Sequence, residues 1–356
     1  LIRFSSQKNN YLSQTLKESC FARFFFIMSL LVRLAPLGVR QINDGCEIFL
    51  HKKEKEREVP TVKVNKIRMR ETVISYAFLA PVLFFFVVFV LAPMIMGFIT
   101  SFFNYSMTSF QFVGLDNYIR MFKDPVFTKS LINTVILVIG SVPVVVLFSL
   151  FVASQTYHQN AIARSFYRFV FFLPVVTGSV AVTVVWKWIY DPLSGILNFV
   201  LKSSHIITQN ISWLGDKHWA LMAIMIILLT TSVGQPIILY IAAMGNIDNS
   251  LVEAARVDGA TEFQVFWKIK WPSLLPTTLY IAIITTINSF QCFALIQLLT
   301  SGGPNYSTST LMYYLYEKAF QLTEYGYANT IGVFLAVMIA IVSFVQFKVL
   351  GNDVEY

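Results

Sequence analysis

Residues 250–276 read S-L-V-E-A-A-R-V-D-G-A-T-E-F-Q-V-F-W-K-I-K-W-P-S-L-L-P. Once the N-terminal tail is set aside, this is the longest charged interruption between apolar runs. Ser250 and Glu253 have the spacing of a capping box, in which each side chain satisfies the other residue's backbone N–H, so a helix is expected to start there. Gly259 is expected to end it, because glycine enters the left-handed region without strain. Thr261 and Gln264 repeat the box and open a second helix. Pro272 removes a ladder hydrogen bond and predicts a break or kink. Ala254 and Ala255 leave the first helix a low face that another surface can approach closely. Phe263, Phe266 and Trp267 fall at helical spacing and are expected to anchor the second helix in its own domain. On spacing alone, two readings stand: a docking elbow, or an ordinary amphipathic loop.

The sequence on either side is membrane sequence. Of the 356 residues, 56% are apolar and 13% charged, far from the balance of a soluble domain. Residues 72–115, 131–163, 169–186, 219–247, 271–316 and 325–347 contain no Asp, Glu, Lys or Arg. A membrane helix needs ~20 mostly apolar residues, so each run holds one span. Six spans are expected, at about residues 73–103, 131–154, 166–190, 219–244, 276–299 and 327–350, in a domain covering residues 69–356. Both ends then lie on one side.

Lys and Arg give the side. With a cytoplasmic N-terminus, twenty of the 27 lie inside and seven outside. Fourteen of them belong to the segment before the first span, which includes Lys63, Lys66, Arg68 and Arg70. The basic balance therefore reads as topology and not as nucleic-acid binding, and it puts residues 248–276 in the cytoplasm. Trp186, Trp188 and Tyr190 are expected to form an aromatic belt at the outer interface.

Residues 1–68 form a tail with no periodic core pattern. The chain opens on Leu1, and Met28 and Met69 are alternative starts, so the tail is expected to be upstream sequence or a disordered extension.

With these features in place, a family resemblance can be stated. Glu253-Ala254-Ala255, three residues, Gly259, nine residues, Ile269, one residue, then Trp271-Pro272 resembles the EAA loop of ABC importer permeases, with Trp271 where the family usually has Leu. Residues 112–118, 124–127 and 133–134 resemble the sugar-type members, and residues 308–320 and 326–328 also match the family. Residues 293–304, F-A-L-I-Q-L-L-T-S-G-G-P, are similar to the maltose-type permeases, which often have Asp where Ala294 stands. The likeness runs over about residues 70–350. It implies an all-α, six-helix type I importer fold whose cytoplasmic coupling helix carries Glu253, Ala254, Ala255, Asp258 and Gly259. It also implies a second permease subunit in a heterodimer, an ATP-binding cassette ATPase dimer that uses ATP and Mg, and an extracytoplasmic sugar-binding protein, all at a bacterial inner or plasma membrane.

The chemistry that is missing points the same way. There is no G-x-x-x-x-G-K-S/T, G-x-S-x-G or H-E-x-x-H, so no ATP site, catalytic residue or cofactor is expected in this chain. Cys20, Cys46 and Cys292, and the scattered His51, His158, His205 and His218, have no metal-ligand spacing. The spans hold essentially no ionisable groups, which disfavours an ion-coupled carrier or an integral-membrane enzyme, the alternatives to an importer permease for a sugar or another solute. Neutral polar residues remain. Gly234 and Pro236 predict a bent fourth span beside Thr230, Thr231, Ser232 and Gln235. Thr285, Ser289 and Cys292 share a face of the fifth span, with Asn288 and Gln291 beside them. Hydroxyl-rich solutes need paired donors and acceptors of this kind. The resemblance places sugar-contacting positions near Thr231, Ser232, Gln235, Thr285, Ser289 and Cys292. The competing reading is interhelical hydrogen bonding, which Ser, Thr and Gln commonly supply in membranes.

Overall fold

The computed structural model describes residues 61–351. The expectations for residues 1–60 fall outside the described residues. Chain contacts divide the protein into two units, Leu1–Met96 and Gly97–Tyr356. In the first, α1 (Thr61–Phe86) begins upstream of Met69 and runs into a π-helical turn, Val87–Leu91. No described residue of this unit is buried. Helix α2 (Ala92–Thr100) follows the turn.

In the second unit β1 (Phe103–Tyr105) and β2 (Phe110–Phe112) pair antiparallel, Phe103 opposite Phe112, the one departure from an all-helical chain among the described residues. Then come α3 (Asp116–Lys123), α4 (Pro125–Tyr157), α5 (Ala161–Val176), α6 (Ser179–Ile189), α7 (Ile196–Ser203), α8 (Ala220–Ser232) and α9 (Gly234–Gly245). The elbow is α10 (Asn249–Val257) and α11 (Glu262–Val265), and a π-helical turn, Phe266–Lys270, leads into α12 (Trp271–Phe290). Helices α13 (Ala294–Leu299), α14 (Leu311–Tyr316) and α15 (Tyr325–Leu350) complete it.

Among the described residues, four stretches are long and apolar enough to cross a membrane: Thr72–Thr100, Pro125–Tyr157, Glu262–Leu299 and Tyr325–Leu350. The count reaches six when the bent pairs α5–α6 and α8–α9 are each taken as one span. The expected fourth-span bend at Gly234 and Pro236 is present, at 40°. The third span differs from expectation: instead of one helix it turns through 99° between α5 and α6. Pro174 deletes one ladder bond of α5, and Thr177 and Gly178 are both extended, with ψ of 126° and 145°. Broken backbone of this kind is tolerated in a membrane where it is covered by protein or lines a cavity.

The break expected at Pro272 lies just upstream of it, as a π-helical turn. Two such turns, Val87–Leu91 and Phe266–Lys270, end two residues before a proline, Pro93 and Pro272. A proline ring collides with the carbonyl four residues earlier, and widening the helix there relieves the collision without ending it. Asp124-Pro125 separates α3 from α4: Pro125 is in the first turn of α4, where its missing N–H costs nothing.

Helix α4 is central, packing against α8, α9, α12 and α14. Its contact face carries small polar residues among the apolar ones. Ser130 bonds Ser309 (2.8 Å), Asn133 donates to the Ser309 carbonyl (2.9 Å), and Ser141 bonds Ser289 (2.7 Å). With lipid outside as apolar as leucine, close backbone approach and interhelical hydrogen bonds hold such helices together. Apolar clusters fill the gaps: Val145, Ile237, Tyr240 and Leu274 toward the elbow, and Phe127, Phe290, Tyr314 and Ile331 toward the opposite end. Tyr190, expected in an interfacial belt, is instead buried in a third cluster and donates to the Ala223 carbonyl (3.1 Å), while Trp188 is exposed. The difference lies in Tyr190's place as the C-cap of α6, where its hydroxyl reaches α8.

Candidate functional site

The elbow is built by local chemistry, with one change from the reading above. Asp248, not Ser250, caps α10: its carboxylate accepts from the Ser250 N–H (2.9 Å). The Ser250 N–H and hydroxyl hold the Asp248 carboxyl below the ordinary carboxylate range. An ionised acceptor at a helix N-terminus outcompetes a hydroxyl two residues on. Glu253 therefore has no box to close, and its side chain is exposed. At the other end Gly259 has φ +81°, and the Ala260 N–H reaches the Ala255 carbonyl (2.9 Å), closing the helix as expected. The Thr261–Gln264 box is complete. An ion pair absent from the sequence reading, Arg256 to Glu262 at 2.7 Å, spans the turn between the two helices, and both partners are solvent-exposed.

Val252 and Val265 hold the elbow to the domain, with Phe266 and Trp271 packed against the cluster around Leu274. Phe263 and Trp267, expected as anchors, are 72% and 48% exposed. They lie on the side of α11 and the π turn turned away from the chain's own core. With Val257 (87% exposed), Glu253, Ala254, Asp258 and Gly259 also open and Ala255 half-buried, the elbow presents a mixed apolar and acidic surface.

The eight polar residues expected on a substrate path divide by face. Thr285, Ser289 and Cys292 are buried in the chain's own interior, where Ser289 is bonded to Ser141 and the Cys292 carbonyl accepts from Thr310 (2.9 Å). Gln235 and Asn288 are exposed; Thr231, Ser232 and Gln291 are half-buried. The Thr231 hydroxyl turns back to the Ile227 and Leu228 carbonyls (3.1 and 3.0 Å). Helices α9 and α12 pack together, and α12 ends at Phe290, so Gln291 and Cys292 form the break before α13. Among the described residues no three His, Cys, Asp or Glu side chains come together as metal ligands.

At the end opposite the elbow, Asp124 makes a junction that no sequence motif announced. One carboxylate oxygen caps α4 through the Val126 N–H (2.9 Å). The other accepts from the hydroxyls of Tyr314, on α14, and Tyr327, on α15 (2.8 Å for the latter). Arg120 lies 4.4 Å from the Tyr327 ring centroid and pairs with Glu324 at 2.9 Å. Burial pushes the Asp124 carboxyl up, but the two phenols and the backbone N–H groups of Val126 and Phe127 outweigh it and leave it below its ordinary 3.8. A carboxylate so depressed contributes stability that is fully present above pH 3.8 and is lost as pH falls through its folded value. Asp124→Ala, which removes cap and acceptor together, is expected to cost about 2–4 kcal/mol. Thermal midpoints of the purified chain should show this at pH 7, and the gap to wild type should narrow on acidification below pH 3.8. An equal gap at both pH values would show that the charge of Asp124 contributes nothing.

The arrangement is that of a polytopic helical domain with an exposed elbow and broken, uncharged spans. The family model for the "Binding-protein-dependent transport system inner membrane component" matches residues 119–350, more than half of the chain. The chain belongs to this family. It is a membrane-spanning transport subunit and not an enzyme, and in importers of this family ATP hydrolysis belongs to separate subunits. The family member is 32% identical over 290 residues to the lactose transport system permease protein LacF of Rhizobium radiobacter, covering 81% of this chain and 97% of that one. It is 32% identical over 276 residues to the multiple sugar-binding transport system permease protein MsmF of Streptococcus mutans, covering 77% and 94%. Among solved structures, a bacterial ABC transporter importing the acidic polysaccharide alginate has a chain with TM-score 0.70 at 23% identity, covering 82% of this chain and all of that one. At that identity the likeness establishes the fold.

Proposed function

We propose that this permease is half of the translocation path of an ATP-driven importer for a sugar of oligosaccharide size. The observation that carries this is the likeness, over four-fifths of the chain and nearly all of the relative's length, to a permease named for lactose. The neutral polar groups left open on α8, α9 and the end of α12 support it, since they suit hydroxyls and carry no charge to pair with an ionic solute. A second permease subunit completes the path, an extracytoplasmic binding protein delivers the sugar, and an ATPase dimer seats the elbow. The elbow and both chain ends then lie on the cytoplasmic side of the cell membrane, and the Asp124 junction lies outside.

Within that path Gln235 and Asn288 take the sugar, with Thr231, Ser232 and Gln291 at its margin. Thr285, Ser289 and Cys292 brace the helices behind them. Gln235→Ala and Asn288→Ala should each raise the half-saturation concentration for uptake roughly tenfold, the cost of about one hydrogen bond to the solute. Ser289→Ala should lower the thermal midpoint with little change in half-saturation. Uptake of radiolabelled oligosaccharides by cells expressing the whole importer reads these outcomes. Equal half-saturation in wild type, Gln235→Ala and Asn288→Ala would turn the assignment over to packing, and failure of every saccharide to stimulate ATP hydrolysis would overturn the sugar reading.

A further inference from the structure

Just past the α12 break, three aromatic rings form a continuous row. Phe293 and Tyr316 have ring centroids 4.7 Å apart, and Tyr316 and Phe320 5.2 Å apart. Phe293 and Tyr316 are half-buried, whereas Phe320 is 69% exposed and shares its turn with Lys318, which lies over the Tyr314 and Tyr327 rings of the Asp124 junction, so the row opens at the junction end. It begins next to Gln291 and Cys292, where the path residues end. Charged neighbours on the same turn point elsewhere. Lys318 lies over the Tyr314 and Tyr327 rings, 5.3 and 5.6 Å from their centroids, and near Glu324, while Glu317 accepts from the Tyr306 hydroxyl (3.3 Å). Both charges on this turn are therefore engaged by other groups.

We propose that Phe293, Tyr316 and Phe320 are a stacking rail for the C–H faces of the sugar rings of an uncharged oligosaccharide, guiding it from outside to the break at Gln291. The inference rests on the carbohydrate reading above and adds a site and a substrate class to it. A pyranose has one comparatively apolar face, and aromatic rings bind such faces without fixing register, which lets a chain slide. Hydrogen-bonding groups would fix it; the row has only the Tyr316 hydroxyl at its edge. A uronate or sulfonate would meet π-faces with no cation to pair its charge, so the rail favours neutral glycans.

The test is uptake by intact cells carrying the whole importer, with a panel of neutral gluco-, galacto-, xylo-, arabino- and chito-oligosaccharides of two to six units as probes. Phe320→Ala and Tyr316→Ala should each raise half-saturation about five- to tenfold for the longest sugar transported, and less for a disaccharide. Phe320→Trp should keep wild-type values, and Phe320→Leu, which preserves apolar bulk without a π-face, should behave as Phe320→Ala. Phe320→Leu matching wild type would overturn the rail in favour of an interfacial membrane anchor. Unchanged half-saturation in the alanine variants, at wild-type amounts of inserted complex, would overturn it as well. A wild-type importer that takes up none of the panel would overturn the carbohydrate reading itself.

Discussion

Glu253→Lys is expected to abolish most substrate-stimulated ATP hydrolysis by the assembled importer while leaving this subunit folded and inserted. The argument begins with what Glu253 does not do. The N–H it would cap in a box is bonded to Asp248, so the side chain has no part in holding α10. It stands exposed on the surface that also displays Ala254, Asp258 and Val257. If the elbow seats in the ATPase as proposed, any loss on substitution arises at that contact and not within this chain. Losing one side of a buried interfacial charge pair costs about 2–5 kcal/mol, so the coupled rate should fall roughly thirtyfold or more. Glu253→Gln should lie between, because it removes the charge and keeps the shape. A compensating acidic residue on the ATPase should restore the Glu253→Lys permease. Wild-type stimulated hydrolysis in both Glu253 variants, with unchanged thermal midpoints, would refute a charge contact at this position.

What could be read from the sequence, and what could not, follows the range of each interaction. The Thr261–Gln264 box and the Gly259 stop were legible because a few consecutive residues decide them. The bend at Gly234 and Pro236 was legible for the same reason. The cap of α10 was misassigned between two cap-competent residues, Asp248 and Ser250, two positions apart, where charge decided. The 99° turn after α5 was hidden by the very run that marked the span: a charge-free stretch counts residues and is silent on direction. Phe263 and Trp267 read as anchors because helical spacing reveals a face but not which body covers it. Asp124 lies 190 and 203 positions before Tyr314 and Tyr327, and nothing local to it indicates either. The polar face of the fifth span was legible as a set, but its division into buried Thr285, Ser289 and Cys292 and exposed Asn288 depended on where α4 packs.

Gly234→Val should disrupt the membrane domain strongly. A Cβ at position 234 would lie 2.3 Å from the Phe171 carbonyl oxygen and 2.7 Å from Val175 Cγ2, so α9 rests directly on the backbone of α5. A carbonyl in a helix cannot rotate away as a side chain can. The helices must separate, at an overpacking cost of about 1–3 kcal/mol even for alanine, and more for a β-branched residue. Helix propensity works in the opposite direction, since alanine is better than glycine in a helix by about 1 kcal/mol. Gly245, at the end of the same helix, isolates that term, because no atom lies within 4 Å of a Cβ there and its φ is not positive. Gly245→Ala should hold or slightly raise the thermal midpoint of the purified subunit, whereas Gly234→Ala should lower it by several degrees, at about 2–4 °C per kcal/mol. Gly234→Val should lower it further. The break that Gly234 seats lies between Ser232 and Gln235, so forcing α5 and α9 apart also re-aims the residues assigned to the sugar. Uptake should therefore fall in Gly234→Ala by more than its lost stability explains, even at temperatures where the variant remains folded. If Gly234→Ala and Gly245→Ala instead share one midpoint and one uptake rate, the close seat of α9 on Phe171 does not hold the bend.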